Sequence, residues 1–557
     1  MKLCKQQTSI ECFRQSIRPS IKMLVTATVM AQVIMYGSYT MWLMMPYLTE
    51  VWDMSIVQAA AVINIFDGIV AILPLSFKII LDSLPNPIIA DYWMLLWCGI
   101  SSTIGLLLVT MSTPPVLSKA IGTCNEYESK CISHTQRSLF YVGLALLATG
   151  MATCLTSLRP YIFERAKMMN IKKPQHIWNI RQALVQNVPK ETLLQQLVEA
   201  KSCVDPATLR NIAYSWPTEF WLYRCNGVFT VLLVVLVFWV MPWSFRLGIP
   251  VIILFLATLL FVSKPWYHVQ GVLIISSSEP HGKTEKNSST NTLKTKTIVK
   301  TLVCNFPIWS TFVICGLVSS VGNTYFIEQA GQMDAKLGQW EVPTAFFLLF
   351  YKLVNLFTTS LCQKSFNSKK SKWITIFAMG VSVLCCLIAA LVENKRLEVV
   401  KSDNNNSVSL SMFLMVPQFF LLGVLDGAYN CCVFAFFQER SPKSVKKYLN
   451  SLMHFVLGLG ILGNVVSVYV AGKVSSRGGR QSWFQHTLNK SRLDKYYWML
   501  AVLSGINLGF YLLVALCYSK FIKKSESESQ PESENEEDVE ELEFKRLDWF
   551  DLLPLRQ

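Results

Sequence analysis

The chain has 557 residues, of which 52% are hydrophobic and 16% are charged. Soluble domains carry about 25% charged residues, so this composition excludes an ordinary soluble protein and predicts a polytopic membrane protein. The formal net charge is +15. In a membrane protein such an excess of Lys and Arg is expected in the cytoplasmic loops. Because no basic face separates from the apolar segments, we expect the lipid bilayer, and no nucleic acid, as the surrounding partner.

Twelve apolar segments follow one another along the chain, each long enough to cross a membrane as an α-helix. The sequence therefore predicts an all-α polytopic membrane protein, with spans at residues 23–48, 56–81, 92–111, 138–158, 217–242, 247–262, 305–334, 343–361, 373–392, 416–442, 454–471 and 496–518.

The polar segments between the spans predict the domain organisation. The basic segment 1–22 lacks the apolar core of a signal peptide and predicts a cytoplasmic N-terminus. The linker 263–300 is rich in Ser, Thr, Lys and Gly, and it divides the spans into two six-helix bundles, 23–262 and 301–519. A long basic insertion, 159–215, is expected on the cytoplasmic side of the first bundle.

Several loop and tail residues carry weaker signals. Cys124 and Cys131 would form a disulfide if their loop faces the lumen or the exterior, and two free thiols are the alternative. The sixteen cysteines show no zinc spacing, so we expect no metal or other cofactor. Asn405 begins a glycosylation sequon. The acidic tail, 520–557, contains a stretch from Asp548 to Leu553 that is similar to a dileucine sorting signal for sorting adaptors, although such short motifs also occur by chance.

Charged residues inside the predicted spans are the strongest functional signal, since a charge at the centre of a bilayer costs roughly 2.5–3.5 kcal/mol on insertion scales. Asp67 and Asp426 lie near the middle of their spans and predict a polar cavity or a proton relay; an acid satisfied by a neighbouring helix is the alternative. Lys352 needs a partner or a water, and Arg224 is either a cavity cation or an interfacial residue. His454 is interpreted as a packing residue rather than a proton carrier.

Several motifs carry a family resemblance. The stretch VPQFFLLGVLDGAYNCCVFAFFQERSP (416–442) resembles the tenth helix of the plant nitrate/peptide transporter family, the proton-dependent oligopeptide transporter branch of the major facilitator superfamily. FYVGLALLATG, the FPIW start of the seventh span with Glu328 and Gln329 near its end, and the SSRGGRQSWF…LNK…LDKYYWMLA connection are similar to the corresponding family segments. The resemblance implies a major facilitator fold with twelve helices in two bundles and transport by alternating access.

This sequence departs from the family's proton-coupling pattern at each expected position. The resemblance implies two glutamates and an arginine on the first helix, where this chain has MAQVI (30–34), and a lysine on the fourth, where Leu155 or a neighbour stands. Ala435 stands where the tenth helix should carry a glutamate, and Ser319 stands about where nitrate-selective relatives have a histidine. Either Asp67 and Asp426 carry the proton instead, or transport is not proton-driven.

The expected function is transport of a small-molecule substrate, either nitrate or a small organic metabolite, across the plasma membrane or the tonoplast. Without the usual charged clamp, di- and tripeptides are not expected. A non-transporting sensor of the same fold is the alternative, and no nucleophile with a base indicates an enzyme. The candidate cavity residues are polar side chains within the spans: Gln32, Tyr36, Asn64, Asp67, Asn323, Lys352, Asp426, Tyr429 and Asn430.

Overall fold

The computed structural model of the protein describes residues 29–84, 87–122, 124, 126–171, 226–262, 296–364, 368–402, 410–442 and 444–526. Arg224, the Asn405 sequon and the stretch from Asp548 to Leu553 lie outside these residues, as does most of the predicted linker.

Within the described residues, ten helices are long and apolar enough to cross a membrane. A shorter apolar helix, Val228–Val237, falls in the predicted fifth span, and residues 29–42 are helical in the first. We number the helices of the twelve spans in chain order: α1, residues 29–42; α2, Ile56–Leu81; α3, Pro87–Met111; α4, His134–Ile171; α5, Asn226–Val240; α6, Trp243–Val262; α7, Phe306–Ser320, continued by Gly322–Phe326 and Ile327–Gly331; α8, Phe346–Lys364; α9, Ser368–Ser402; α10, Val416–Arg440; α11, Leu449–Ser475; α12, Leu493–Glu526.

Local sequence signals explain where several of these helices begin and end. A capping box opens α2, with the Gln58 amide donating to Ser55 Oγ and the Ser55 amide donating to Gln58 Oε1, each at 3.3 Å. Pro417 occupies the first turn of α10, where its missing N–H costs nothing, and Pro442 follows the end of that helix.

Three helices exceed their predicted spans by more than ten residues: α4, α9 and α12. The predicted ninth span ended at Val392, but α9 continues through the charged run from Glu393 to Ser402. That run contains good helix formers and neither Gly nor Pro. Hydropathy therefore predicted the apolar part of the helix and missed its polar extension.

The two halves of the molecule, α1–α6 and α7–α12, pack tightly where α2 meets α11. A Cβ atom added at Gly68 would lie 2.6 Å from Leu462 Cδ2, and one at Gly458 would lie 2.7 Å from Ile72 Cγ1. In the second half, a Cβ at Gly460 would lie 2.6 Å from the Val313 carbonyl oxygen. Small residues thus permit close helix approach along α11.

The two ends of the helix bundle can be told apart by the loops that connect the helices there. Cys124 and Cys131 form a disulfide after α3, so the bonded alternative is the one observed. We call this the outer end; it also contains the small hairpin of Lys336–Leu337 and Trp340–Glu341 between α7 and α8. The opposite, inner end contains the α2–α3, α8–α9 and α10–α11 connections.

Candidate functional site

A polar contact joins the two halves near the middle of the spans. Asn323 Nδ2, on α7, donates a hydrogen bond to Asp67 Oδ2, on α2, at 2.7 Å. Among the ion pairs of the described residues, none involves Asp67. Asn64 lies on the same helix, and its Oδ1 and that of Asn323 are buried without a hydrogen-bond partner. The two halves therefore meet at an acid and two amides that retain bonding capacity.

The backbone of α7 explains how Asn323 reaches across. Residues Gly322–Phe326 form a π-helical segment, a distortion that is frequent at functional sites. A Cβ at Gly322 would lie 2.0 Å from Leu422 Cδ2, so this turn lies directly against α10. The Gly322-Asn323 pair inside an apolar span was the sequence signal for this distortion, and we did not predict it.

A second polar cluster surrounds Asp426 on α10. Tyr351, on α8, donates a hydrogen bond to Asp426 Oδ2 at 2.5 Å, and the Ser319 hydroxyl, on α7, is also a partner of this carboxylate. Lys352 follows Tyr351 on α8, and its ammonium lies 5.3 Å from the centroid of the Tyr39 ring on α1. We call these residues the Asp426 cluster: Tyr39, Ser319, Tyr351, Lys352 and Asp426.

The Asp426 cluster spans the interface between the halves. Trp42, at the end of α1, stacks on Tyr351 with ring centroids 5.6 Å apart and an interplanar angle of 18°. Lys352 and Asp426 are close enough to interact electrostatically, yet none of the described ion pairs joins them directly. Both side chains keep partial accessibility although they lie deep in their helices. The cluster therefore places a cation and an anion side by side at the bundle interface.

The remaining candidates from the first span serve the packing of the first half. Gln32 Oε1 accepts a hydrogen bond from Thr230 on α5, and the Tyr36 hydroxyl donates to the Arg246 carbonyl oxygen on α6 at 3.0 Å. These bonds tie α1 to α5 and α6, so neither residue joins the Asp426 cluster.

Two further candidates lie on α10 beside Asp426. Tyr429 is buried with its hydroxyl unpaired, and its ring meets the Phe312 ring edge-on at 6.3 Å. Asn430 is half-buried. The predicted set is therefore divided between packing contacts in the first half and an interfacial cluster in the second.

The halves also touch at both ends of the molecule. At the outer end, the Thr49 hydroxyl donates to Glu328 Oε2 at 3.1 Å, and the Ile56 amide donates to the His486 carbonyl oxygen at 3.3 Å. At the inner end, Lys447, before α11, pairs with Asp82, after α2. Glu328 was identified from a family motif, but its partner Thr49 was not predicted from the sequence.

Two carboxylates lie near each other at the outer contact. Glu50 follows Thr49 in the π-helical turn Tyr47–Val51. It lies close enough to Glu328 for the two carboxylates to interact electrostatically. Partial burial raises the pKa of the Glu50 carboxyl above its usual value. Closure of this end therefore brings these two carboxylates near each other, and His486 Nε2 of the second half lies 3.9 Å from Asp53 Oδ1 of the first.

A buried network anchors the residue beside Glu328. Gln329 donates to Glu393 Oε2 at 2.5 Å and accepts from the Tyr497 hydroxyl at 3.0 Å. Arg396 donates to both oxygens of Glu393 at 2.8 Å, and all of this pair is buried. Arg396 also donates to Asn489 Oδ1 at 2.6 Å. Sequence reasoning missed this network because the predicted ninth span ended at Val392, although the i,i+3 spacing of an acid and an arginine on one helix indicates such a pair.

Comparisons with known proteins find similar membrane transporters. Residues 261–484 match the PTR2 profile of the POT family. The chain is 27% identical over 558 residues to protein NRT1/PTR FAMILY 5.5 of Arabidopsis thaliana, which covers 87% of this chain and 95% of that relative. The chain is thus similar to POT family transporters over its second half and to an NRT1/PTR FAMILY protein over most of its length. NRT1/PTR FAMILY 6.2 of the same plant is 31% identical over 247 residues, or 42% of each protein.

Solved structures support the fold of this chain. The crystal structure of an auto-inhibited POT family peptide transporter superimposes with a TM-score of 0.55 at 12% identity, covering 89% of this chain and 96% of that chain. The in meso structure of PepTSo gives a TM-score of 0.55 at 13% identity, with 88% and 97% coverage. The major facilitator fold and the multi-pass membrane character are thereby confirmed, and the similar proteins are transporters rather than enzymes.

The residues at which the resemblance predicted a departure from the family pattern can now be located. Ala435 is buried beside Phe436 on α10, and Leu155 on α4 has 46% of its surface exposed. Ser319 lies on α7 against Asp426. The serine in the position of the nitrate-selective histidine is thus part of the Asp426 cluster, which has a cation and an acid of its own.

Proposed function

We propose that this protein transports a small zwitterionic or neutral polar organic solute by alternating access, with the solute bound at the Asp426 cluster. The observation that carries this proposal is the convergence of Lys352, Tyr351 and Asp426 from the second half on Tyr39 from the first. A solute bound there contacts both halves, which is the requirement for coupling its binding to their relative movement.

The chemistry of the cluster favours this class of solute. Lys352 supplies three donors for a carboxylate or another anionic group, and Asp426 supplies acceptors for an ammonium or a hydroxyl. The aromatic faces of Tyr39 and Trp42 add an apolar wall. Nitrate would use the cation alone and would leave Asp426 as a nearby like charge. A peptide would lack the clamp that the fourth- and tenth-helix charges provide in the family pattern.

Asp67 is the proposed proton site. Its hydrogen bond from Asn323 is charge-assisted while the carboxylate is ionised, and such bonds are roughly twice as strong as neutral ones. Protonation of Asp67 weakens that bond and so loosens the contact between α2 and α7. The Thr49–Glu328 contact at the outer end and the Asp82–Lys447 pair at the inner end then open in turn.

The test is flux into proteoliposomes. Purified protein is reconstituted, and labelled nitrate and a panel of labelled amino acids, organic acids and neutral polar metabolites are offered with and without an imposed pH gradient. We expect flux of a zwitterionic or neutral solute that increases with an inward proton gradient and falls in Lys352→Gln. The control is Lys473→Gln, because Lys473 is an exposed lysine at the outer end of α11.

Other outcomes would contradict parts of the proposal. Nitrate flux alone would overturn the solute class, and flux indifferent to the gradient would overturn Asp67 as the proton site. Solute binding to detergent-solubilised protein without any flux would instead favour a sensor, the alternative for a family member without the usual coupling residues.

A further inference from the structure

Two glycines of α10 bring this helix into close contact with α8. Both helices run from the outer end of the bundle to the inner end, so they are parallel. A Cβ at Gly423 would lie 2.9 Å from Val354 Cβ. A Cβ at Gly427, one turn later, would lie 2.8 Å from Thr358 Cβ. Because these separations are nearly equal, the two helices do not diverge over this stretch, and residues at the following turn should also meet closely.

The following turn of each helix contains a cysteine. Cys431 follows Gly427 by four residues on α10. Cys362 follows Thr358 by four residues on α8, so each cysteine lies about one helical turn beyond the contact. The two thiols lie close enough to form a hydrogen bond with each other, and Cys431 Sγ is 3.8 Å from the Thr359 carbonyl oxygen. A disulfide needs a Cβ–Cβ separation of roughly 3.5–4.5 Å, so helices packed this closely can form one with little movement.

One of these two thiols is accessible. Cys362 is in the last turn of α8, at the inner end of the bundle, and its side chain is partly exposed. Gln363 beside it is exposed, whereas Cys431 has only 8% of its surface exposed. An accessible thiol next to a second thiol is the arrangement of redox-sensitive cysteines, in which the first reacts with the oxidant and the second closes the disulfide.

A second pair of cysteines shows that proximity alone does not create such a site. Cys98 on α3 and Cys154 on α4 also lie close enough to form a hydrogen bond. Their helices pack closely too, since a Cβ at Gly150 would lie 3.2 Å from the Cys98 carbonyl oxygen. However, the side chains of Cys98 and Cys154 are only 0% and 6% exposed. The two pairs are therefore alike in spacing and differ in the access that an oxidant has to them.

We propose that Cys362 and Cys431 form a reversible redox site, at which hydrogen peroxide produces a disulfide between α8 and α10. The Cys362 sulfur donates an electron pair to one peroxide oxygen, the O–O bond breaks, and a sulfenic acid and a water result. The Cys431 sulfur then attacks the sulfenic sulfur, the S–S bond forms, and a second water leaves. Two thiols and one peroxide thus yield one disulfide and two waters.

The disulfide is expected to be transient. Thiols at a cytoplasmic membrane face are kept reduced, and a dithiol restores them by thiol–disulfide exchange. While it lasts, the bond holds α8 against α10, the two helices that contribute Lys352 and Asp426. The modification itself does not depend on the identity of the transported solute.

The experiment maps disulfides in the purified full chain, in detergent, before and after treatment with hydrogen peroxide. Remaining thiols are alkylated, the chain is digested with trypsin without reduction, and linked peptides are identified by mass spectrometry. Trypsin places Cys362 in the peptide 353–364 and Cys431 in the peptide 402–440. We expect peroxide to link these two peptides and dithiothreitol to separate them. Cys98 and Cys154 should remain unlinked.

The neighbouring cysteine on α10 provides a matched control. Cys432 is in the same tryptic peptide as Cys431, but its thiol forms a hydrogen bond with Thr375 on α9. Cys362→Ser and Cys431→Ser should each abolish the link, whereas Cys432→Ser should keep it. The Tm of each variant without peroxide shows that the variant is folded.

Three results would overturn the proposal. The first is the absence of a link between the two peptides in the oxidised wild type. The second is a link that is lost in Cys432→Ser and kept in Cys431→Ser. The third is oxidation of Cys98 and Cys154 to the same extent, because the α8–α10 pair would then have no selective reactivity.

Discussion

The two halves of the molecule use their intramembrane polar residues differently. In the first half, Gln32 and Tyr36 form hydrogen bonds with Thr230 and Arg246 that hold α1 against α5 and α6. In the second half, Lys352 and Asp426 lie together at the interface with α1 and have no direct ion pair with each other among the described residues. The amide of Gln32 and the hydroxyl of Tyr36 thus serve helix packing in the first half. The charged residues Lys352 and Asp426 of the second half form the candidate solute site.

The largest effect is expected from removing the acid of the second half. Asp426→Asn keeps an oxygen that can accept from Tyr351 but removes the negative charge that faces Lys352 and the solute. Hydrogen bonds to charged groups are worth about 1.5–3 kcal/mol, so the half-saturating solute concentration should rise by about ten- to a hundredfold. Concentration-dependent flux in proteoliposomes measures this. Lys473→Gln, at the exposed outer end of α11, is the control and should stay within about twofold of wild type.

The cation of the second half should come next. Lys352→Gln removes the charge over Tyr39, and the loss should be about tenfold for solutes with a carboxylate, equivalent to about 1.4 kcal/mol. It should be small for neutral solutes, which do not need the cation. An equal loss of affinity for all solutes would indicate that Lys352 maintains the fold of α8 rather than binding the substrate. The charged residues of the second half would then serve packing, as the polar residues of the first half do.

The contact between the halves provides a sharper test of coupling. Asp67→Asn should leave solute binding nearly unchanged but make flux insensitive to the pH gradient, since the side chain can no longer titrate. Asn323→Ala should remove the same bond to Asp67 while leaving the acid in place, so its flux should still respond to the gradient. Equal gradient dependence of Asp67→Asn and the wild type would exclude Asp67 as the proton site.

The smallest effect is expected in the first half. Tyr36→Phe removes only the hydroxyl that donates to the Arg246 carbonyl oxygen, and it should cost about 1 kcal/mol of stability. The half-saturating solute concentration should not change. Thermal unfolding and flux, measured on the same preparation, separate the two effects. A selective loss of solute affinity in Tyr36→Phe would add Tyr36 to the site, beside Tyr39 of the same helix.

The fold could be predicted from the sequence because the features that indicate it occur along the whole chain. Apolar runs of membrane-spanning length and the motifs around Glu328 and Phe436 predicted the twelve helices and the family. Asp67, Lys352 and Asp426 were found because a charge in an apolar span costs free energy and needs a partner or a cavity. The sequence could not show that Gln32 and Tyr36 are packing residues rather than site residues. An uncharged polar side chain in a span can line a cavity or form a hydrogen bond within its own bundle equally well.

The contacts between distant segments were not predictable from the chain alone. Asn323 reaches Asp67 because a π-helical turn changes the direction of α7, and Thr49 meets Glu328 because the halves close at the outer end. The buried pair of Glu393 and Arg396 lies on a polar extension of α9, where hydropathy indicated the end of the span. The first two contacts depend on tertiary packing that no single segment encodes, whereas the i,i+3 pair on α9 was missed because the predicted span ended too early.

The most direct test of the central claim compares Lys352→Gln with Gln32→Leu in one flux experiment on the transported solute. Both replace a polar side chain within a span, one in each half. The account predicts about a tenfold rise in the half-saturating concentration for Lys352→Gln and little change for Gln32→Leu. Equal losses in the two variants, or a larger loss in Gln32→Leu, would contradict a solute site at the Asp426 cluster.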